Sequence, residues 1–300
     1  MRPRGGVGRA SLRGVRQYGG ALLLGCVGPL FAAGAVAQTA AKAPFDGAAL
    51  VRRAVQHRLD MDKGHQLVRY VLRKKDSRRE TTKEIIETKD GDVARLIAID
   101  GKPLSAEAER AEMERLNFLA AHPEMEERRH RSEIKDQGRI DDLLGVLPDA
   151  ELYQLEGIFP CGAEQCYRLS FIPNPRFVPP DLEADFLRGF AGEVWIDQAQ
   201  ERLTRLDAHL IVDVNYGYGI LGKLNKGGTA SLRQTDVGGR VWKLTELKVS
   251  LTGKALMVKS LSIQIDEKAS DFSPVAAGMS YRDAIEMLKK PDSAGISQQK

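Results

Sequence analysis

The sequence predicts an α+β fold built on one curled antiparallel sheet, and three observations carry that reading. Strand-length runs recur from residue 66 to residue 265, several with the period-two alternation of a half-buried strand. The turns that join them are too short for a parallel crossover, which needs a dozen residues or more, so sequential strands must be antiparallel. Segments with helical spacing stand before, between and after the strands.

In chain order, the first such segment is Ala48 to Leu59, where Ala48, Leu50, Val51, Ala54, Val55 and Leu59 make an apolar stripe with Arg52, Arg53 and Arg58 outside it. Three strands follow, Gln66 to Lys74, Thr81 to Thr88 and Val93 to Ile99, divided by Asp76-Ser77 and by the hairpin signal Asp90-Gly91. Asp100-Gly101-Lys102-Pro103 ends this part of the sheet, and Ser105 is placed to cap a helix. Residues 105 to 147 read as a helical insertion. Met113, Leu116, Leu119 and Ala120 give it an apolar side, and Glu124/Arg128 and Glu127/Arg131 are i, i+4 pairs suited to an exposed face.

Leu152 to Phe159 and Tyr167 to Ile172 read as a hairpin, after which Pro173, Pro175, Pro179 and Pro180 stiffen a loop, because proline fixes φ and cannot donate to a ladder. Gly192 to Asp197 and Arg202 to Val214 are the next pair. Leu206, Ala208, Leu210, Val212 and Val214 fall on one face and Arg205, Asp207, His209 and Asp213 on the other. A meander completes the sheet: Thr229 to Val237, a Gly238-Gly239 turn, Arg240 to Leu251, a Gly253-Lys254 turn, and Ala255 to Ile265. Tyr281 to Lys290 is a closing helix, and residues 291–300 are a polar, flexible tail.

Among the 300 residues, 45 Lys and Arg stand against 41 Asp and Glu, with 42% hydrophobic residues, an ordinary globular balance that excludes disordered and polytopic membrane classes. Five arginines (Arg2, Arg4, Arg9, Arg13 and Arg16) lie in the first 37 residues with no acid, so they account for more than the whole net charge of +4. The basic balance therefore belongs to a leader, and no nucleic-acid partner is expected. Tyr18 to Ala37 is apolar or small, uncharged, and closes on Ala35-Val36-Ala37. This predicts a signal peptide over residues 1–37, cleaved after Ala37, and a periplasmic protein. The alternative reads Leu23-Leu24-Gly25-Cys26 as a lipobox and anchors the chain through an acylated Cys26.

With Cys26 removed, Cys161 and Cys166 remain, an even count in an exported chain and hence one expected disulfide across a hairpin turn. A loop of six residues gives about 2 kcal/mol in the chain-entropy model. A redox pair is the alternative, against which catalytic dithiols usually use a two-residue spacer at a helix start.

Signals for an enzyme are weak. Gly217-Tyr218-Gly219-Ile220-Leu221-Gly222-Lys223 matches G-x-G-x-x-G and misses a Walker A pattern at Leu224, but a strand follows where both motifs need a helix N-terminus. The five histidines show no metal-ligand spacing, and no G-x-S-x-G elbow is present. No enzyme, cofactor or metal is expected. Trp195 and Trp242, the only tryptophans, lie in strands, where core packing is the first expectation and indoles lining an apolar cleft for a lipid are the alternative. The expected ligand face comprises Trp195, Leu206, Leu210, Val212 and Trp242.

An exported chain with an amphipathic first helix, a meander of long strands and helices to plug its face resembles the LolA/LolB-type lipoprotein carriers over most of residues 47–289. Locally, AGEVWID (Ala191 to Asp197) and GILGKLNKGG (Gly219 to Gly228) are similar to segments of bacterial exported proteins described as outer-membrane lipoprotein-sorting-like. The resemblance implies a single domain over 38–290: a strongly curved antiparallel sheet forming an unclosed (half) β-barrel covered by helices. It also implies a monomeric envelope carrier whose ligand is a lipid or lipoprotein acyl chain. It matches no functional residue of the carriers to a position here. The alternative is an envelope sensor or interaction protein of the same fold, docking a membrane protein partner through its charged helices.

Overall fold

The structure is a computed structural model that describes residues 45–61, 66–216, 222–255 and 259–290. The leader with Cys26, the glycine run at 217–221 and the tail at 291–300 lie outside the described residues.

Helix α1 (Gly47–Met61) starts where Asp46 accepts the Ala49 N–H on its side chain at 2.9 Å, an acidic N-cap that the stripe alone does not show. Strands β1 (Val68–Asp76), β2 (Glu80–Ile86) and β3 (Val93–Ile99) form an antiparallel meander. Asp100 and Gly101 both take positive φ, so the chain reverses there into a two-residue strand β4 (Lys102–Pro103) before leaving the sheet. Helix α2 (Ala106–Ala121) is capped by Ser105, as expected, and Pro123 opens α3 (Pro123–Ala150). The helical insertion thus runs past Leu147 and through Pro148. Tyr153 Oη donates to the Leu147 carbonyl at 2.9 Å beside that proline.

Strands β5 (Glu151–Cys161) and β6 (Glu164–Pro173) make the hairpin that the Cys161–Cys166 disulfide closes. A 3-10 turn at Ala184–Gly189 leads into β7 (Phe190–Asp197) and β8 (Leu203–Leu210). The long strand expected over Arg202 to Val214 breaks at Leu210. Leu210 exchanges backbone hydrogen bonds with Gly227 and Gly228, and Ile211 donates to Gly189 instead of continuing the ladder. The chain then enters a side hairpin of β9 (Val214–Tyr216) and β10 (Gly222–Leu224).

Strands β11 (Thr229–Asp236), β12 (Trp242–Ala255) and β13 (Lys259–Pro274) complete the sheet, with Gly238 and Gly239 in the turn as expected. The turn expected at Gly253-Lys254 is instead strand. A Cβ at Gly253 would come within 2.1 Å of the Lys223 carbonyl oxygen, so this glycine admits β10 against β12. Ser280 caps α4 (Tyr281–Lys289) by accepting the Asp283 N–H.

The 13 strands form one antiparallel sheet in the order β4-β3-β2-β1-β13-β12-β11-β8-β7-β6-β5, with β10 and β9 attached to β12. Its edges β4 and β5 do not pair, so the sheet is an open half-barrel. Register assigns its faces. Residues Tyr70, Leu72, Val194, Ile196, Leu206, Leu210 and Leu247 share the inner face, against which α1 packs Leu50, Val51 and Ala54. Ile86 and Val93 point the other way, because Tyr70 pairs with Ile85, and there α2 and α4 cover the sheet with Leu116, Ile285 and Leu288. The helices therefore serve both faces.

Candidate functional site

The first turns of α1 seal the inner face over β6, β7 and β8, but its last turns stand clear of β1, β12 and β13. A cavity of about 300 Å³ remains there. That volume is at the small end of the roughly 300–1,000 Å³ range of ligand pockets. Two local irregularities shape it. A bulge in the β1/β13 pairing beside Asp271, which has positive φ, turns Phe272 toward Tyr70, and the rings stack at 5.3 Å and 18°. A second bulge, between β11 and β12, brings Leu244 and Trp242 onto the inner face, and Trp242 Nε1 donates to Gln200 Oε1 at 3.2 Å.

The cavity thus has an aliphatic and aromatic floor of Leu72, Trp242, Leu244, Leu247 and Phe272, with Ala54 and Leu203 above. Ionic groups sit around this floor. Lys243 Nζ lies 2.6 Å from Glu87, and both side chains are largely buried, at 14% and 13% exposure. Arg58 comes from the last turns of α1, and Arg202 from the β7–β8 turn reaches back to donate to the His57 carbonyl. Burial raises the Tyr70 hydroxyl, so this phenol stays neutral. Behind the wall, Asp92 is pushed up to about 6, chiefly by burial and then by Glu87 and Glu133, with Arg129 and Lys243 opposing. Asp92 does not line the cavity.

Of the five residues expected to form the ligand face, only Trp242 lines this space. Leu210 is on the inner face but only 1% exposed, packed against Gly189 and Gly228 in the sealed half. Leu206 shares that face, in register with Val194 and Leu232. Val212 is carried off the sheet by the break after Leu210 and is 48% exposed. Trp195 alternates with the buried Val194 and Ile196 and so faces outward, where Phe159 lies 5.9 Å away and the Arg168 and Arg205 guanidiniums stack over it at 5.8 and 5.4 Å. Sequence reasoning missed Tyr70, Phe272, Leu244 and the two arginines. Alternation in β1 would have put Tyr70 and Leu72 on one face, but no local signal pairs them with residues two hundred positions away.

Cys161 and Cys166 lie with Asp197 in a cluster within 4.8 Å, but the two sulfurs are bonded to each other and offer no thiolate ligand. No helix among the described residues is long and apolar enough to cross a membrane.

Fold and cavity define a class: an α+β protein whose open antiparallel sheet holds, under its first helix, a pocket with an apolar floor and ionic walls. No family model and no curated protein matches the sequence. The chain is similar in structure to three solved proteins. An outer membrane lipoprotein-sorting protein domain from Vibrio parahaemolyticus is 13% identical, covers 81% of this chain and 100% of its own, and has a TM-score of 0.34. A LolA superfamily protein from Nitrosomonas europaea is 7% identical over 77% of this chain and 94% of its own, with a TM-score of 0.28. A DUF1329 family protein from Desulfovibrio piger is 12% identical over 79% and 96%, with a TM-score of 0.29. At such scores the functional reading rests on the cavity.

Proposed function

We propose that the protein binds an acyl chain of a lipid or lipoprotein in the cavity beneath the end of α1, as a binding or carrier protein of the cell envelope. The observation that carries this reading is the uncovered apolar floor of Leu72, Trp242, Leu244 and Phe272 on a sheet face that is elsewhere sealed by helix. Each buried methylene contributes ~0.8 kcal/mol, so even a partly inserted chain binds at useful affinity. The cavity has room for part of one chain.

Trp242 is a built-in reporter. In a Trp195→Phe variant it is the only indole, and an acyl chain carrying bromine near its middle should quench its fluorescence saturably. Native mass spectrometry of the purified protein, followed by lipid extraction, should recover co-purified lipid or acylated peptide. Unchanged Trp242 emission together with a clean apo mass in the presence of phospholipid and lipopeptide would sink the proposal. The interaction-protein reading gains nothing specific from the structure.

A further inference from the structure

The ionic groups around the cavity do not balance. Three carboxylates line it, and each has a cation: Glu87 has Lys243 at 2.6 Å, Glu246 has Arg233 at 3.3 Å, and Glu267 has Lys74 at 2.6 Å. Of the three lining cations, Lys243 is used in the first of these pairs. Neither Arg58 nor Arg202 forms an ion pair among the described residues. Arg58 Nε is buried and makes no hydrogen bond at all. Arg202 spends one donor on the His57 carbonyl, and the only carboxylate whose charge bears on it is Asp60.

Part of this has a structural explanation. Two guanidiniums at the end of α1 meet the unsatisfied carbonyls and the negative end of the helix dipole. That accounts for one Arg202 donor and leaves the buried Arg58 Nε unexplained, since a donor removed from water without a partner costs free energy. An anion in the cavity would supply the missing acceptors, and guanidiniums match carboxylate and phosphate oxygens in geometry as well as charge.

We propose that the cavity selects an anionic amphiphile, with its carboxylate or phosphate head held by Arg58 and Arg202 and its chain laid along Leu72, Trp242, Leu244 and Phe272. The inference rests on the acyl-binding reading and narrows it: a neutral acylglycerol would fill the floor but leave both guanidiniums unanswered.

The test uses the Trp195→Phe protein, with Trp242 emission as readout and three ligands of equal chain length: palmitate, lysophosphatidate with a palmitoyl chain, and neutral monopalmitoylglycerol. The expected result is that at least one anionic ligand binds about tenfold or more tightly than the neutral one. Whichever of carboxylate and phosphate binds better names the head. That preference should shrink at high salt and vanish in Arg58→Met/Arg202→Met, while the neutral ligand binds as before. Should the double variant fail to show a cooperative melt, Arg58→Met alone serves, because its buried Nε makes no hydrogen bond to lose. Equal affinity for all three ligands would overturn the anion proposal and leave acyl binding standing. Failure of every ligand to bind would remove both.

Discussion

The two halves of the inner sheet face receive the same helix and end up different. Over β6, β7 and β8, α1 presents Leu50, Val51 and Ala54 to Leu169, Val194, Ile196 and Leu210, and the space is filled. About one turn after Ala54 it presents Arg58 to β1, β12 and β13, and a cavity remains. Carboxylates follow the same division. In the open half Glu87 is held by Lys243, whereas Glu151 at the start of β5 is 2% exposed, has no hydrogen-bond partner for either oxygen, and is pushed up to about 8 by burial. The difference teaches that the apolar stripe of α1 seals part of the sheet only, and that its basic end leaves the floor of the other part uncovered.

The contrast can be broken by mutation. Leu210→Glu places a charge in the sealed half and should destabilise the fold by about 4 kcal/mol or more, read as the loss of a cooperative urea transition. A folded Leu210→Glu protein would show that half to be loosely packed. Truncation sharpens the comparison: Leu50→Ala should cost roughly 3 kcal/mol, and Leu244→Ala, in the open half, under about 1 kcal/mol while weakening acyl binding. Equal losses from the two would erase the distinction between seal and cavity. Replacing both Cys161 and Cys166 with serine should lower stability by about 2 kcal/mol with little effect on ligand affinity, by urea midpoint and Trp242 titration.

Glu151 adds a dependence on pH. Its folded pKa of about 8 lies above the ordinary 4.5, so the folded state holds a proton that the unfolded chain releases. Stability therefore falls as pH rises from about 4.5 to 8 and levels off above that. Glu151→Gln should abolish this slope, so that its urea midpoint no longer falls between about pH 4.5 and 8. A slope unchanged in Glu151→Gln would assign the effect to another group.

Much of the fold is legible locally, because turn chemistry and side-chain period act over a few residues. The stripe of α1, the Ser105 cap, the Gly238-Gly239 turn and the cystine hairpin are such features. Gly253 misled because a glycine that admits a neighbouring backbone reads the same as one that turns the chain. Val212 misled because alternation continues in the sequence past the point where hydrogen bonds to Gly189, Gly227 and Gly228 end the strand. Trp195 misled because hydrophobicity does not say which face is dry, and cation–π contacts with Arg168 and Arg205 satisfy an indole on the outer face.

The sequence by itself determined the class of fold: antiparallel strands, an amphipathic first helix, a charged helical insertion and a disulfide-closed turn, each dictated by short-range periodicity and steric rules. Only the tertiary structure decided where the cavity lies. Its walls come from Tyr70, Arg202, Trp242 and Phe272, which meet through the long-range β1/β13 pairing and two bulges. Pairing between segments two hundred residues apart is set by the packing of the whole sheet, and no local pattern encodes it.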